Sequence, residues 1–349
     1  MGAVGGEGGL ARPLIGPASA VAGAATRVGG MPELAGRVAD AFEAGVKEHE
    51  ERWLSPLGIR SYETVGRARP EDTPCSLRTP FQRDRDRILH SKPFRRLKGK
   101  TQVFIDPDGD HYRTRMTHTL ETTGIARGVA RALRLNEDLV EAIGLGHDMG
   151  HPPFGHAGED ALDAALHERF GLRFRHNEHS ARIAERLNLT HEVCDGILTH
   201  TGERVPESLE GKIVRLVDRV AYINHDIDDA VRFGILSPGD LPREEVELLG
   251  PTGSRRIDAL VHDLVETSAR AGDIAQSEEV GAAMLSLRSF MFDAVYNGPH
   301  AAGEHERAHL AVRAIFSDVA AHEDDPDAIV DFIAGMTDRF ALEYAGRLG

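Results

Sequence analysis

The chain has 349 residues and a net charge of −15. That length can bury a substantial core, and the acidic balance disfavours general binding to nucleic acid or anionic membrane, which both need a basic footprint. Two cysteines, Cys75 and Cys194, write neither a disulfide framework nor a cysteine zinc site, and no apolar run approaches the ~20 residues that span a bilayer. A cytoplasmic protein is expected.

Residues 1–30 hold nine glycines and seven alanines with few large apolar side chains, so burial cannot offset the entropy of ordering them. A disordered tail is expected there, with Met31 a candidate translation start. Residues 31–349 read as a single folded domain. A short helix is expected over Ala35–Glu51. From Arg83 to Lys100 eight basic residues meet only Asp84 and Asp86. Such a run is either a solvated, internally paired face or an anion-binding stretch, with weak single-stranded DNA binding as one form of the latter.

Asp106–Asp110 signals a turn. Ile125, Val129 and Leu133 recur every four residues, so Thr117–Arg134 reads as an amphipathic helix with His118 on its buried face. Asn136 caps a second helix that runs to Asp148 and is stopped by Gly150 and Pro152. A third begins near His156, with Glu159 and Asp160 placed against its N-terminal dipole. Others start near Asn177, cover Lys212–Val231, and recur as Leu285–Tyr296 and Ile329–Tyr344. Strand signals are few, so the fold class is all-α.

Ten of the eighteen histidines lie between His111 and His200, a density that core packing does not explain. His118, His147, Asp148 and Asp218 form a candidate metal set, because Asp218 sits on an apolar helical stripe where an unpaired carboxylate is costly. Two imidazoles and two carboxylates suit Mn, Fe, Co, Ni or Zn better than calcium, and an ion so held lowers the pKa of water. His156 and Glu159, three residues apart on one helix face, read as a general-acid pair. For His176 and Tyr222 a phosphate contact and a core role both stand. His151 reads as structural or as an orienting neighbour of the ligands.

His118, His147-Asp148 and Asp218 match the H…HD…D pattern of HD-domain metal-dependent phosphohydrolases. Six longer strings resemble the bacterial deoxyguanosinetriphosphate triphosphohydrolase branch: Arg83–His90, Phe94–Phe104, Tyr112–Glu121, His147–Glu159, Ala221–Ala230 and Ala334–Arg339. The resemblance covers roughly Glu50 onward. It implies an HD-domain helical fold and hydrolysis of a deoxynucleoside triphosphate, dGTP foremost, to deoxynucleoside and intact triphosphate by attack at the α-phosphorus. It also implies a divalent metal, Mg included, and assembly into a homo-oligomer. His156 would protonate the leaving 5′-oxygen with Glu159 as its partner. His176, Arg115, Arg219 and Tyr222 would lie near the phosphates, and Gln102 and Asp226 at the deoxyribose. Arg96, with Arg113 and Arg115, offers guanidinium forks suited to phosphate. His179 stands where the family usually has glutamine. Two other readings compete: an HD phosphohydrolase for monophosphates, cyclic nucleotides or alarmones, and a catalytically silent nucleotide sensor or DNA binder.

Overall fold

The computed structural model describes residues 38–71, 75–102 and 113–349. The Gly- and Ala-rich tail, Met31 and the Asp106–Asp110 turn lie outside the described residues. Every described regular element is helical: α1 Val38–Trp53, α2 Pro80–His90, α3 Lys92–Arg96, α4 Arg115–Leu133, α5 Glu137–Gly146, α6 Gly155–Phe170, α7 His176–Arg186, α8 His191–Thr199, α9 Leu209–Arg232, α10 Arg243–Leu249, α11 Gly253–Ala271, α12 Glu278–Met291, α13 Pro299–Val319, α14 Pro326–Ala334 and α15 Asp338–Ala345. Among the described residues extended pairing is limited to two isolated bridges, Arg67 with Thr190 and Thr101 with Thr114. No described helix is long and apolar enough to cross a membrane.

Local chemistry sets the boundaries that matter. Thr114 caps α4 by accepting from the Thr117 N–H, which starts the helix two residues earlier than the apolar repeat alone suggests. The Asn136 side chain accepts from the Asp138 and Leu139 N–H groups at the head of α5. That helix ends at Gly146, short of the expected Asp148. His147 and Asp148 therefore stand in the turn beyond it, free of the helix surface. α6 starts at Gly155, which leaves no acid in its first turn. Glu159 is thus not a dipole partner and is available for other bonds.

The C-terminal half departs most from expectation. Leu285–Tyr296 is the end of α12 followed by one π-helical turn, Phe292–Tyr296. Ile329–Tyr344 is two helices, separated at Gly335, with Thr337 capping the second through the Phe340 N–H. An apolar spacing that continues in register across a break cannot reveal the break.

Three apolar clusters carry the fold. One joins α2, α4, α5 and α8 to the first half of α9 around Ile88, Val129, Ile143, Ile197 and Val217. Another joins α6, α13 and α14 around Leu162, Ile315 and Ile333. The remaining one packs the second half of α9 against α11 and α12 through Ile227, Leu260 and Leu287. The turn from His147 to Phe154 runs between the first two clusters. It fits tightly: a Cβ on Gly150 would lie 2.3 Å from the Ser180 nitrogen, so only glycine admits the approach of α7.

Phe154, which precedes α6, holds a left-handed backbone at φ 66, a conformation costing a non-glycine residue roughly 1 kcal/mol. Asp338 fixes it. One carboxylate oxygen accepts from the Phe154 N–H at 2.9 Å, and the other accepts from the Thr101 N–H at 2.7 Å and from the Thr101 hydroxyl. Asp338→Ala should lower unfolding stability by roughly 2–4 kcal/mol, because it strands buried backbone donors; chemical denaturation of both proteins measures this.

The basic run of 83–100 divides: Lys92, Arg95, Arg96 and Lys98 are exposed, whereas the other four basic residues are paired or buried. Arg83 and Arg87 both bind Glu71, and Arg85 binds Asp86 and Glu141. Lys100 is buried, with Nζ donating to the His151 carbonyl at 2.5 Å and the Ala334 carbonyl at 2.7 Å. The charge of the first part of the run is thus met by Glu71, Asp86 and Glu141.

Candidate metal centre and active site

Two helices and a turn deliver the candidate ligands to one buried place. α4 brings His118, the turn after α5 brings His147 and Asp148, and α9 brings Asp218. His118, His147 and Asp148 each offer a ligand atom, all within 4.8 Å of one another. The Oδ1 atom of Asp218 lies 3.0 Å from His118 Nε2 and 3.6 Å from His147 Nε2. His147 is 0% exposed, its Nδ1 is 2.7 Å from the Gly144 carbonyl, and its Nε2 has no hydrogen-bond partner. A carbonyl only accepts, so Nδ1 carries a hydrogen and Nε2 is the nitrogen turned to the carboxylates, where a proton or a cation would sit. A buried, bare imidazole nitrogen beside two carboxylates fits a divalent cation.

The electrostatics agree with that fit. Burial alone would lower the His147 pKa, yet Asp148 and Asp218 more than offset it and raise it to about 9. Burial pushes the Asp148 carboxyl up, but the charges of His147 and Arg115 hold it well below the usual carboxylate range. Asp218 is likewise held low against burial by His118 and His147. The site is thus poised to keep both carboxylates ionised.

Across the Gly-Pro-Pro break a second set faces the first. Glu159 Oε1 is 2.9 Å from His176 Nδ1 and also accepts from the His176 backbone N–H, while Oε2 is 3.5 Å from His156 Nδ1. Burial opposes the charge on Glu159, but His176 and His156 hold its pKa well below normal. The His156 side chain is 74% exposed, which leaves it accessible beside a buried carboxylate. His151 connects the two sets: Nε2 is 3.4 Å from Asp148 Oδ1, Nδ1 is 4.0 Å from Glu159 Oε2, and its ring stacks on His176 at 3.8 Å.

The candidate substrate residues divide. Arg115 is buried and gives one nitrogen to Asp148 at 2.9 Å, while its Nε and second terminal nitrogen lack partners. The Oε1 atom of Gln102 is also buried and unpartnered. Arg219 follows Asp218 on α9 and makes no hydrogen bond or ion pair to a described residue. The Tyr222 hydroxyl accepts from Arg288 Nε at 2.7 Å. Burial raises the Asp226 pKa to about 7, against a hydrogen bond from the Tyr296 hydroxyl. Arg113 is engaged by Asp229 and Glu121. Arg96 stands apart, exposed in a surface groove with Asp331, Phe332 and Thr337. His179 also points elsewhere, with one ring nitrogen 2.9 Å from the Gly150 carbonyl and the other 3.1 Å from Asp331.

An HD domain model matches residues 115–223, the span from α4 into α9. A deoxyguanosinetriphosphate triphosphohydrolase-like protein of Caldanaerobacter subterraneus subsp. tengcongensis is 48% identical over 317 residues, 85% of this chain and 92% of its own length. The chain belongs to the deoxyguanosinetriphosphate triphosphohydrolase-like family. A second triphosphohydrolase-like relative, from Clostridium perfringens, is 43% identical over 333 residues, 87% of this chain and 96% of its own. A crystal structure of a hypothetical protein from Aquifex aeolicus matches 75% of this chain and 67% of that one, with a TM-score of 0.48 and 21% identity.

In this triphosphohydrolase-like chain three site neighbours escaped the sequence reading. Tyr296 and Arg288 come from α12 and its π turn, 70 and 66 residues from their partners Asp226 and Tyr222, and no local pattern announces them. His200 ends α8, and its Nε2 is 3.2 Å from His176 Nε2. Its membership of the histidine-dense stretch was the available signal.

Lys100 underlies this region and yields a pH test. Burial lowers its pKa from 10.5 to about 7, with Asp338 opposing. Between those values the unfolded chain binds more protons than the folded one, so this residue's penalty is full below about pH 7 and is relieved as pH rises. Wild type should therefore gain on Lys100→Met by at most about 1.4 kcal/mol per pH unit from pH 7 upward. Urea denaturation at pH 6.5 and 9 measures the difference.

Proposed function

We propose that this protein hydrolyses a deoxynucleoside triphosphate, dGTP foremost, to the deoxynucleoside and intact inorganic triphosphate. The observation that carries the proposal is the proximity of two sets joined through His151: a ligand cluster around His147 with a bare nitrogen, and a carboxylate-oriented histidine pair across the break. Membership in the triphosphohydrolase-like family adds the substrate class.

His118, His147, Asp148 and Asp218 would hold the divalent ion, of the Mn, Fe, Co, Ni, Zn or Mg class. When bound it supplies Lewis acidity and lowers the pKa of water at neutral pH. Arg115, with two unpaired nitrogens beside Asp148, receives α-phosphate oxygens. Arg219, His176 and Tyr222 line the phosphate side. His156, oriented by Glu159, protonates the 5′-oxygen as it leaves. Gln102 and Asp226 bond the deoxyribose, with Tyr296 holding the Asp226 carboxyl. Arg96 lies in the outer groove with Asp331 and Thr337 and takes no part in this scheme. Cytoplasmic residence and homo-oligomeric assembly complete the proposal.

The test is product analysis. Purified protein incubated with each dNTP and Mn²⁺ should release deoxynucleoside and triphosphate in equal amounts, resolved by ion-exchange chromatography. Release of pyrophosphate or orthophosphate without triphosphate overturns the reading.

A further inference from the structure

The turn that carries His147 and Asp148 is gripped at Gly150 by α7. The Gly150 N–H donates to the Ser180 hydroxyl at 2.8 Å, and the Gly150 carbonyl lies 2.9 Å from His179 Nδ1. The other ring nitrogen of His179, Nε2, lies 3.1 Å from Asp331 Oδ1 on α14. His179 is 5% exposed, so water offers little replacement for either contact.

Counting hydrogens fixes what these contacts require of the ring. A carbonyl only accepts, and so does an ionised carboxylate. Burial opposes the charge on Asp331, but bonds from His179 and Arg186 hold its pKa down, at about 2. Both ring nitrogens therefore face acceptors, and both contacts are made together only when the ring carries two hydrogens and a positive charge. A neutral ring has one hydrogen. The carboxylate is the stronger acceptor, so that hydrogen stays on Nε2 and the buried Gly150 carbonyl is released.

The charged groups around the ring come from three sides. α14 and its cap present Asp331, Asp327 and Asp325, and α7 itself presents Arg182, which binds Asp327 and Asp331, and Arg186, which binds Asp331. Arg96 lies in the groove outside Asp331, and Lys100 lies behind the turn on the His151 carbonyl. Arg182 and Arg186 keep α7 on α14 whatever the charge of His179, so the link that proton loss opens is the one to the turn.

We propose that His179 is a positioning residue: as an imidazolium it ties the Gly150 carbonyl, and with it the turn bearing His147 and Asp148, to α14, and loss of its proton loosens that turn and slows turnover. The effect on rate rests on the triphosphohydrolase reading; the state of the ring does not. Glutamine supplies the comparison, because its amide nitrogen carries two hydrogens without titrating and can serve the carbonyl and the carboxylate together.

The experiment uses the full chain as wild type, His179→Gln and His179→Ala, each labelled with nitrogen-15 histidine. Long-range proton–nitrogen NMR spectra between pH 5.5 and 9 report the hydrogens on each ring nitrogen, and the signal missing from both variants belongs to His179. Triphosphate release from dGTP at saturating Mn²⁺ is followed over the same range. The wild-type ring should carry both hydrogens at the acid end, and the ratio of kcat in wild type to kcat in His179→Gln should fall in step with the loss of that charge as pH rises. At the acid end His179→Ala should lose up to about 10²-fold in kcat with little change in KM, the scale of a catalytic segment displaced by about 1 Å, and His179→Gln should recover most of it. A ring with a single hydrogen at the acid end overturns the proposal, as does a kcat ratio that does not follow the ring's charge or an unchanged kcat in His179→Ala. Should His179→Ala fail to fold, wild type and His179→Gln decide alone. Wild type that releases no triphosphate overturns the reaction reading and the rate effect with it, while a doubly protonated ring in the same sample still upholds the tie.

Discussion

His147→Ala should yield a folded protein that neither retains a divalent ion nor turns over a dNTP. The side chain is fully buried, and its bare Nε2 lies 3.6 Å from both Asp148 Oδ1 and Asp218 Oδ1. Removing a group that only orients a ligand already costs roughly 10–100-fold in metal affinity, and a ligand lost outright costs more. Turnover should fall on the order of 10²–10³-fold or beyond, the scale of losing one preorganised charge-stabilising group. The same substitution releases Asp148 from one of the charges that hold its pKa down, so added metal should bind more weakly as pH falls. Metal content after gel filtration and single-turnover assays at several Mn²⁺ concentrations check both statements.

His156→Ala should separate chemistry from metal binding. This side chain is exposed and its one ion-pair contact is Glu159, so truncation should leave stability within roughly 0.5 kcal/mol of wild type and metal content unchanged. Turnover of a dNTP should fall about 10²–10⁴-fold, the usual contribution of a positioned general acid. An aryl triphosphate, whose leaving oxygen needs no proton, should be cleaved by both proteins at similar rates. Equal loss on the two substrates would remove His156 from the proton-donor role and assign it to binding.

The helices around the site were legible because their apolar residues recur at helical spacing and their caps are written locally. Asn136 before Glu137 and the Gly-Pro-Pro break after Asp148 are examples. What local pattern could not show was register across short interruptions: Gly335 splits a periodic run whose two halves stay in phase. Nor could it show partners distant in sequence. The run of 83–100 read equally as an internally paired face or an anion-binding stretch, and only the placing of Glu71 and Glu141 against Arg83, Arg85 and Arg87 assigned its first part to the former. Tyr296 joins Asp226 only because α12 folds back on α9, and His200 meets His176 only because α8 packs on α7.

Asp338 carries a consequence for synthesis. Its carboxylate sets the start of the helix that bears His156 and Glu159 and the turn that precedes Arg115, while the ligands His118, His147, Asp148 and Asp218 all lie far upstream. On a ribosome, a nascent chain whose residue 338 is still inside the exit tunnel has emitted every metal ligand but lacks the latch on Phe154. The helix bearing His156 and Glu159 lacks its anchor until α15 has emerged. The helix start that carries His156 and Glu159 is thus fixed by a residue 184 positions after Phe154, and is the later of the two parts of the candidate site to gain its geometry as the chain emerges.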